Sequence, residues 1–287
     1  MKDKITIVKV GGAIVEDESR LTTLLQDFSA IEGHKLLVHG GGRRATKVAA
    51  ELGIESKMVN GRRITDAEML DVVTMVYGGL VNKHLVARLQ SCGINALGLS
   101  GADMNSISSH RRPPVKMTLT DDSGNAHEET VDFGFVGDVD RVDGTMLHTL
   151  IDNGITPVMA PLTHDGKGNM LNTNADTIAS EVAKALAKQY DVTLIYSFEK
   201  PGVLAKPDDD DSVIPVITRK SFTKYVNDGT ISGGMIPKLE TCLSAVTGGV
   251  EAAVILDGRV PHALLLEIFT RKGAGTLRPP NNHLSYA

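Results

Sequence analysis

Apolar and polar positions change period repeatedly along this chain, and the changes mark out its elements. Short apolar, β-like runs at 5–10, 35–38, 95–99, 155–160, 192–197 and 250–256 predict strands. Helical spacing between them predicts helices over 18–30, 44–52, 146–152, 173–188, 218–228, 235–247 and 261–269, with a short closing strand at 275–277. Thr65-Asp66-Ala67-Glu68 puts acidic residues into a first helical turn, and the helix it opens runs towards Ser91. The stretch 110–136 breaks the rhythm. It holds Pro113-Pro114 and two extended runs around a polar turn, a β-hairpin with Ser123-Gly124-Asn125 at its tip. Residues 164–168 and the acidic run 208–211 read as solvated turns. Repeated β-α-β units predict an α/β fold, a mostly parallel sheet with helices on both faces and ligands at the carboxyl ends of its strands.

Composition narrows the function classes. The 287 residues are 41% hydrophobic and 23% charged, values of a globular chain. A formal charge of −5, few aromatics and no tryptophan give no case for nucleic acid or an anionic membrane as partner. Cys92 and Cys242 lie in helix-like contexts and are expected as reduced, core-side thiols. No apolar signal-peptide stretch and no bilayer-length segment is found, so a soluble, cytoplasmic protein is expected.

The chemistry-bearing positions follow the strand ends. Lys9-Val10-Gly11-Gly12 and His39-Gly40-Gly41-Gly42 each close an apolar run, where glycine lets backbone N–H groups approach an anion. Lys9 would add a point charge on a phosphate oxygen. Three consecutive glycines exceed what a turn needs, which marks 40–42 as a ligand-facing loop. Neither a G-x-x-x-x-G-K-[ST] nor a G-x-G-x-x-G pattern occurs, against a Walker-type NTPase and a standard dinucleotide fold. Arg62 and Arg63 sit between a turn and a helix start, Arg63 suited to bidentate capture of a carboxylate and Arg62 reading as a surface residue. In Asn172-Thr173-Asn174-Ala175-Asp176, Asn172 or Thr173 is the candidate helix cap and Asp176 the outward carboxylate. Gly233-Gly234 with Lys238 one turn on resembles a second phosphate clamp. His39 ends an apolar strand and reads as a satisfied structural histidine. No H-E-x-x-H, C-x-x-C or G-x-S-x-G is present.

Taken in order, K-x-G-G, H-G-G-G, N-G-x-R, N-x-N-A-D and G-G-M-x-x-K resemble the amino-acid kinase family over nearly the whole chain, about residues 5–277. Within it, the pattern is most similar to the branch acting on N-acetylglutamate. The resemblance implies an αβα sandwich, a homodimer and two lobes, 1–189 for the acylated amino acid and dimerisation and 190–287 for the nucleotide, on one continuous sheet. It implies ATP-dependent phosphorylation of the side-chain carboxylate of N-acetyl-L-glutamate in arginine biosynthesis, with Mg²⁺ carried mainly by the nucleotide phosphates and no protein metal site. N-succinylglutamate, or a catalytically silent nucleotide-binding sensor, is the alternative.

By motif, Lys9 and Lys238 would stabilise the transferring phosphoryl group, with Gly12 and Gly41 donating backbone N–H groups and Asp176 orienting the lysines. Arg63 would grip the substrate α-carboxylate, and Gly41, Gly42, Asn172 and Asn174 would contact the substrate. Lys9, Gly11, Gly12, Gly234 and Lys238 would meet the nucleotide, together with Ser197, Glu199 and Gly202, where the chain departs from the family's D-[VP]-x-G-like stretch. The 110–136 hairpin would act as a lid over the acyl end, with Arg111, Arg112 and Lys116 available to an extra carboxylate. Arginine-inhibited members carry an extra N-terminal helix before the first strand, which this chain lacks, so an arginine-insensitive dimer is expected.

Overall fold

A computed structural model describes residues 2–120, 126–199, 202–206, 209, 212–269 and 275–278. The hairpin tip 123–125, most of the acidic run 208–211 and the tail beyond 278 lie outside the described residues.

The elements run in chain order. They begin β1 (Asp3–Val10), α1 (Gly12–Glu16), α2 (Glu18–Ala30), β2 (His34–His39), α3 (Gly42–Glu51), β3 (Met58–Val59), β4 (Arg62–Arg63), α4 (Ala67–Val73), α5 (Asn82–Ser91) and β5 (Ala96–Leu99). The middle holds β6 (Ile107–Arg111), β7 (Val115–Thr120), β8 (Ala126–Val131), β9 (Gly137–Val142), α6 (Gly144–Asp152), β10 (Thr156–Met159), β11 (Leu162–His164) and β12 (Met170–Asn172). The last third holds α7 (Ala175–Leu186), β13 (Tyr190–Phe198), α8 (Arg219–Asn227), α9 (Met235–Thr247), β14 (Ala252–Asp257), α10 (Ala263–Phe269) and β15 (Thr276–Arg278).

The central sheet has seven strands in the order β15-β14-β13-β1-β2-β10-β5, all parallel except the antiparallel edge strand β15. Its two faces follow from strand alternation. Ile5 and Ile7 of β1 join Val192, Leu194, Tyr196 and Phe198 of β13 in a core closed by α6, α7 and α9, with Ile178, Val182, Leu239 and Cys242 among its members. Val8 and Val10 face the other way, against Leu24, Leu25 and Phe28 of α2, Ala45 and Ala49 of α3, and Leu85 and Leu89 of α5. The expected αβα sandwich is therefore present, built by one residue of offset along each strand.

Three local findings depart from the sequence expectation. The helix expected to run unbroken from 65 to 91 carries a π-helical stretch, Thr74–Val81, between α4 and α5. It starts where expected, because the Asp66 side chain accepts from the Met69 N–H. The 110–136 excursion is the hairpin β7–β8, and it stands on a second sheet of order β12-β11-β6-β9, of which β11 and β12 are only three residues long. Cys92 is exposed rather than core-side; Cys242 is buried, and neither forms a disulfide among the described residues. The small hairpin β3–β4 turns at Asn60 and Gly61, with φ values of 47° and 74°, the left-handed pair that an Asn-Gly turn supplies.

Candidate active site

Register brings the two glycine-rich turns together. Val10 pairs with His39 across β1 and β2, so the chain leaves both strands at the same level of the sheet. Gly40 N–H donates to Val10 O (2.9 Å) and Gly11 N–H to Ser197 O (3.2 Å). The turns touch so closely that a Cβ on Gly40 would stand 3.0 Å from Gly12 N, and one on Gly12 would stand 3.4 Å from Gly41 N. α3 begins at Gly42, so its unpaired first-turn N–H groups lie beside this junction.

His39 holds the turn from below. It is fully buried; its Nδ1–H donates to Gly40 O (2.8 Å), and Nε2 accepts from Asn82 Nδ2 (3.1 Å), which also donates to Val158 O. Burial drives its pKa down to about 4, against a smaller raising effect of the Gly40 hydrogen bond, with Lys83 adding a further lowering. The imidazole is thus neutral and engaged on both nitrogens. It is a satisfied structural histidine, as the sequence suggested. Asn82, its partner from α5, gave no signal in the sequence.

Lys9 lies on the same face as Ile5 and Ile7, under α7. Its Nζ meets Asp176 Oδ1 at 2.8 Å, with side chains only 8% and 18% exposed. Asp176 is placed by the cap of α7. That cap is Asn174, whose side chain accepts from the N–H groups of Asp176 and Thr177, rather than Asn172 or Thr173 as expected. Asn172 instead donates to Thr65 Oγ1 (3.0 Å). Lys238 enters from the first turn of α9, and its Nζ lies 3.7 Å from the centroid of the Phe198 ring.

Asp176, Lys238 and the second glycine turn border a cleft of about 480 Å³ whose lining includes Gly40, Gly41, Gly42, Arg63, Asn172, Asn174, Asp176, Gly234 and Lys238. Lys9, Gly11 and Gly12 stand behind that lining, against Asp176 and the second turn. Arg62, Arg112, Tyr77 and Val136 also line it. Arg62, taken for a surface residue, is exposed but faces this cleft. Arg63 is 9% exposed and donates through Nη2 to Gly42 O (2.9 Å) and Thr46 Oγ1 (2.8 Å), and through Nη1 to Ser56 Oγ, so it ties β4 to the start of α3. Tyr77, from the π-helical stretch, packs its ring against Gly41, where an added Cβ would come within 2.9 Å of Cδ1. Burial raises the Tyr77 pKa, and the nearby Arg63 guanidinium partly opposes that. Arg112 is half-buried and paired with Asp138 (2.5 Å), whose carboxyl it holds below the usual carboxylate range. Arg111 pairs with Asp132 on the exposed side, and Lys116 is exposed on β7, so only Arg112 of that trio lines the cleft.

The sequence-predicted nucleotide contacts at 197–202 lie outside the described lining of this cleft. Alternation along β13 sends Ser197 to the face opposite Lys9, into a narrow groove with Val8, Leu256 and Gly258. Glu199 pairs with Arg43 (2.8 Å) and Arg20 (3.8 Å). Gly202, at φ 132°, approaches Thr276, whose Oγ1 would lie 2.9 Å from an added Cβ. Period-2 reasoning alone would have moved attention one residue along, to Phe198.

Chemically, the cleft offers cations and free backbone N–H groups to a polyanion, with Asp176 as the only carboxylate in its described lining. The chain is similar to known proteins on the same scale. The amino acid kinase family model matches residues 4–257. The acetylglutamate kinase of Phocaeicola vulgatus is 66% identical over 255 residues, covering 89% of this chain and 94% of that protein. The acetylglutamate kinase of Bacteroides thetaiotaomicron is 64% identical, with the same coverage. The crystal structure of smu.665 from Streptococcus mutans superposes with a TM-score of 0.70 at 26% identity, covering 96% of this chain and 99% of that one.

Proposed function

The chain belongs to the amino acid kinase family, and we propose that its cleft performs the reaction for which its relatives are named, transfer of the γ-phosphoryl group of ATP to the side-chain carboxylate of N-acetyl-L-glutamate. The observation that carries this is the convergence of Lys9, held by Asp176, and Lys238 beside the paired glycine turns at one end of a cationic cleft.

A γ-carboxylate has a reference pKa of about 4.3, so it is a nucleophile at neutral pH without a general base. His39, buried and held near pKa 4, is not needed as one. A carboxylate oxygen forms the new O–P bond while the bond from phosphorus to the β–γ bridging oxygen breaks, its electron pair leaving with ADP. The product is an acyl phosphate. Lys9 and Lys238 and the N–H groups of Gly12 and Gly41 would meet the charge on the phosphoryl oxygens, where preorganised donors contribute most. Asp176 would orient the lysines. Arg63, with Arg62 and Arg112, would attract the carboxylates of the substrate, and Asn172 and Asn174 would border it. The donor set fits a triphosphate, and Mg²⁺ would arrive on the nucleotide phosphates, adding positive charge there.

The division at 189/190 would separate the acyl-amino-acid lobe from the nucleotide lobe, with β1 and β13 paired across it. The β7–β8 hairpin would cover the acyl end, because Arg112 and Val136 at its base line the cleft. A homodimer would form along β5, the outer strand of the sheet, where Leu97 is 37% exposed. No helix among the described residues is long and apolar enough to cross a membrane, and we place the enzyme in the cytoplasm. The named relatives favour the acetyl substrate over the succinyl one and an enzyme over a silent sensor. Hydroxylamine trapping with Mg-ATP tests the reaction and its acyl specificity. Hydroxamate is expected from N-acetyl-L-glutamate, well above N-succinyl-L-glutamate and free L-glutamate. ATP binding with no hydroxamate from any of them would overturn it.

A further inference from the structure

Phe198 is the last residue of β13, 6% exposed, on the sheet face that carries Lys9. Two ammonium groups lie over its ring: Lys9 Nζ at 4.8 Å and Lys238 Nζ at 3.7 Å from the centroid. Both distances fall within the range at which the negative face of an aromatic ring attracts a cation, about 6 Å. The ring stacks on Tyr196 (5.8 Å between centroids, 10° between planes), and the Tyr196 hydroxyl donates to Asp176 O (3.2 Å). One aromatic pair therefore touches both lysines and the residue that holds Lys9. It reaches both lysines through Phe198 and the backbone of Asp176 through Tyr196.

The arrangement answers a physical problem. Two ammonium groups that must converge on one phosphoryl group repel each other, and Asp176 lies 2.8 Å from Lys9. A carboxylate attracts lysines but also repels phosphates. An aromatic quadrupole attracts cations without a net charge, so it can gather the lysines and leave the anion unopposed.

We propose that Phe198 is a positioning residue for phosphoryl transfer, an aromatic platform that presents Lys9 and Lys238 to the same group. This rests on the kinase reading above. The platform acts through the face of the ring rather than through its bulk, and that distinguishes it from ordinary core packing.

The test replaces Phe198 by 4-fluoro-, 3,5-difluoro- and 3,4,5-trifluorophenylalanine, which drain the ring face while nearly preserving its shape. With Mg-ATP and N-acetyl-L-glutamate, kcat is expected to fall stepwise, about two- to threefold per fluorine, with KM values within about twofold and unfolding temperature nearly constant. Phe198→Tyr is expected to retain activity, and Phe198→Leu to fall at least as far as the trifluoro variant. A flat fluorine series in an enzyme that does form acyl phosphate overturns the platform and leaves the kinase reading standing. Proton NMR supplies a readout independent of turnover. The Lys238 ε-methylene protons are expected upfield of their usual position because of the ring current, and to return there in Phe198→Leu. Lys238 resonances at their ordinary position in the unsubstituted protein would also overturn the inference. An unsubstituted enzyme that forms no acyl phosphate overturns the kinase reading, and the role of Phe198 in transfer with it.

Discussion

Replacing Asp176 by asparagine removes one charge and almost no volume from the phosphoryl end of the cleft. At 2.8 Å from Lys9 Nζ, with the two side chains 8% and 18% exposed, the gross attraction is about 6 kcal/mol at an effective dielectric constant near 20. Desolvation of the two ions offsets much of that, and the asparagine carbonyl still accepts from the ammonium, so a loss of about 2 kcal/mol of stability is expected. For a chain of this length that is a fall of roughly 3 °C in unfolding temperature. The effect on catalysis is larger and opposite in sign to the effect on binding. A lysine no longer held in place is comparable to a lost oxyanion donor, so kcat should drop about 100-fold. The KM for ATP should stay level or decrease, since a carboxylate that opposed the phosphates has gone. Hydroxamate formation and thermal unfolding on the same preparation measure both. The double variant Lys9→Met/Asp176→Asn should be hardly less stable than Lys9→Met alone, because the pair is broken once. A folded Asp176→Asn enzyme with kcat within threefold of the parent, or one whose only change is a raised KM for ATP, would refute the reasoning.

His39 supplies a pH signature. Its pKa lies near 4 in the fold against 6.5 unfolded, so neutral His39 stabilises the fold fully above about pH 6.5, and that contribution is lost as pH falls towards 4. Two and a half units correspond to about 3 kcal/mol. Urea midpoints between pH 7 and 4 should therefore fall less steeply in His39→Gln than in the parent, and parallel curves would count against the assignment. Gly40→Ala places a Cβ 3.0 Å from the backbone nitrogen of Gly12, where no flexible side chain can give way. Forcing the two turns apart should lower kcat at least 100-fold for about 1–3 kcal/mol of stability, and a Gly40→Ala enzyme of near-parental activity would show that the junction is not the phosphate site.

Much of the fold and a good part of the site could be read along the chain, because their signals are local. Strand runs ending in Lys9-Val10-Gly11-Gly12 and His39-Gly40-Gly41-Gly42 announce two anion-friendly turns, and their pairing in neighbouring strands follows from β-α-β topology. What was missed depends on long-range register. Ser197 and Phe198 are adjacent in sequence but face opposite sides of the sheet, and only pairing β13 with β1 decides which one meets Lys9. Tyr77 reaches the cleft from a π-helical stretch that no spacing rule anticipates, since a helix pattern is equally consistent with an unbroken α-helix. Asn82 supports the glycine turn from a distant helix. The net charge of −5 conceals a cleft lined by Arg62, Arg63, Arg112 and Lys238 against Asp176, because total charge says nothing about where charges gather.

The most direct test of the central claim is a crystal structure with Mg-ADP, aluminium fluoride and N-acetyl-L-glutamate. The fluoride group mimics the transferring phosphoryl. It is expected between the Gly11–Gly12 and Gly40–Gly42 turns, about 2.7–3.1 Å from the N–H groups of Gly12 and Gly41 and within reach of both Lys9 and Lys238, with the acyl amino acid towards Arg63. A complex that seats the fluoride in the groove by Ser197 and Gly258, or leaves either lysine away from it, would contradict the proposed site.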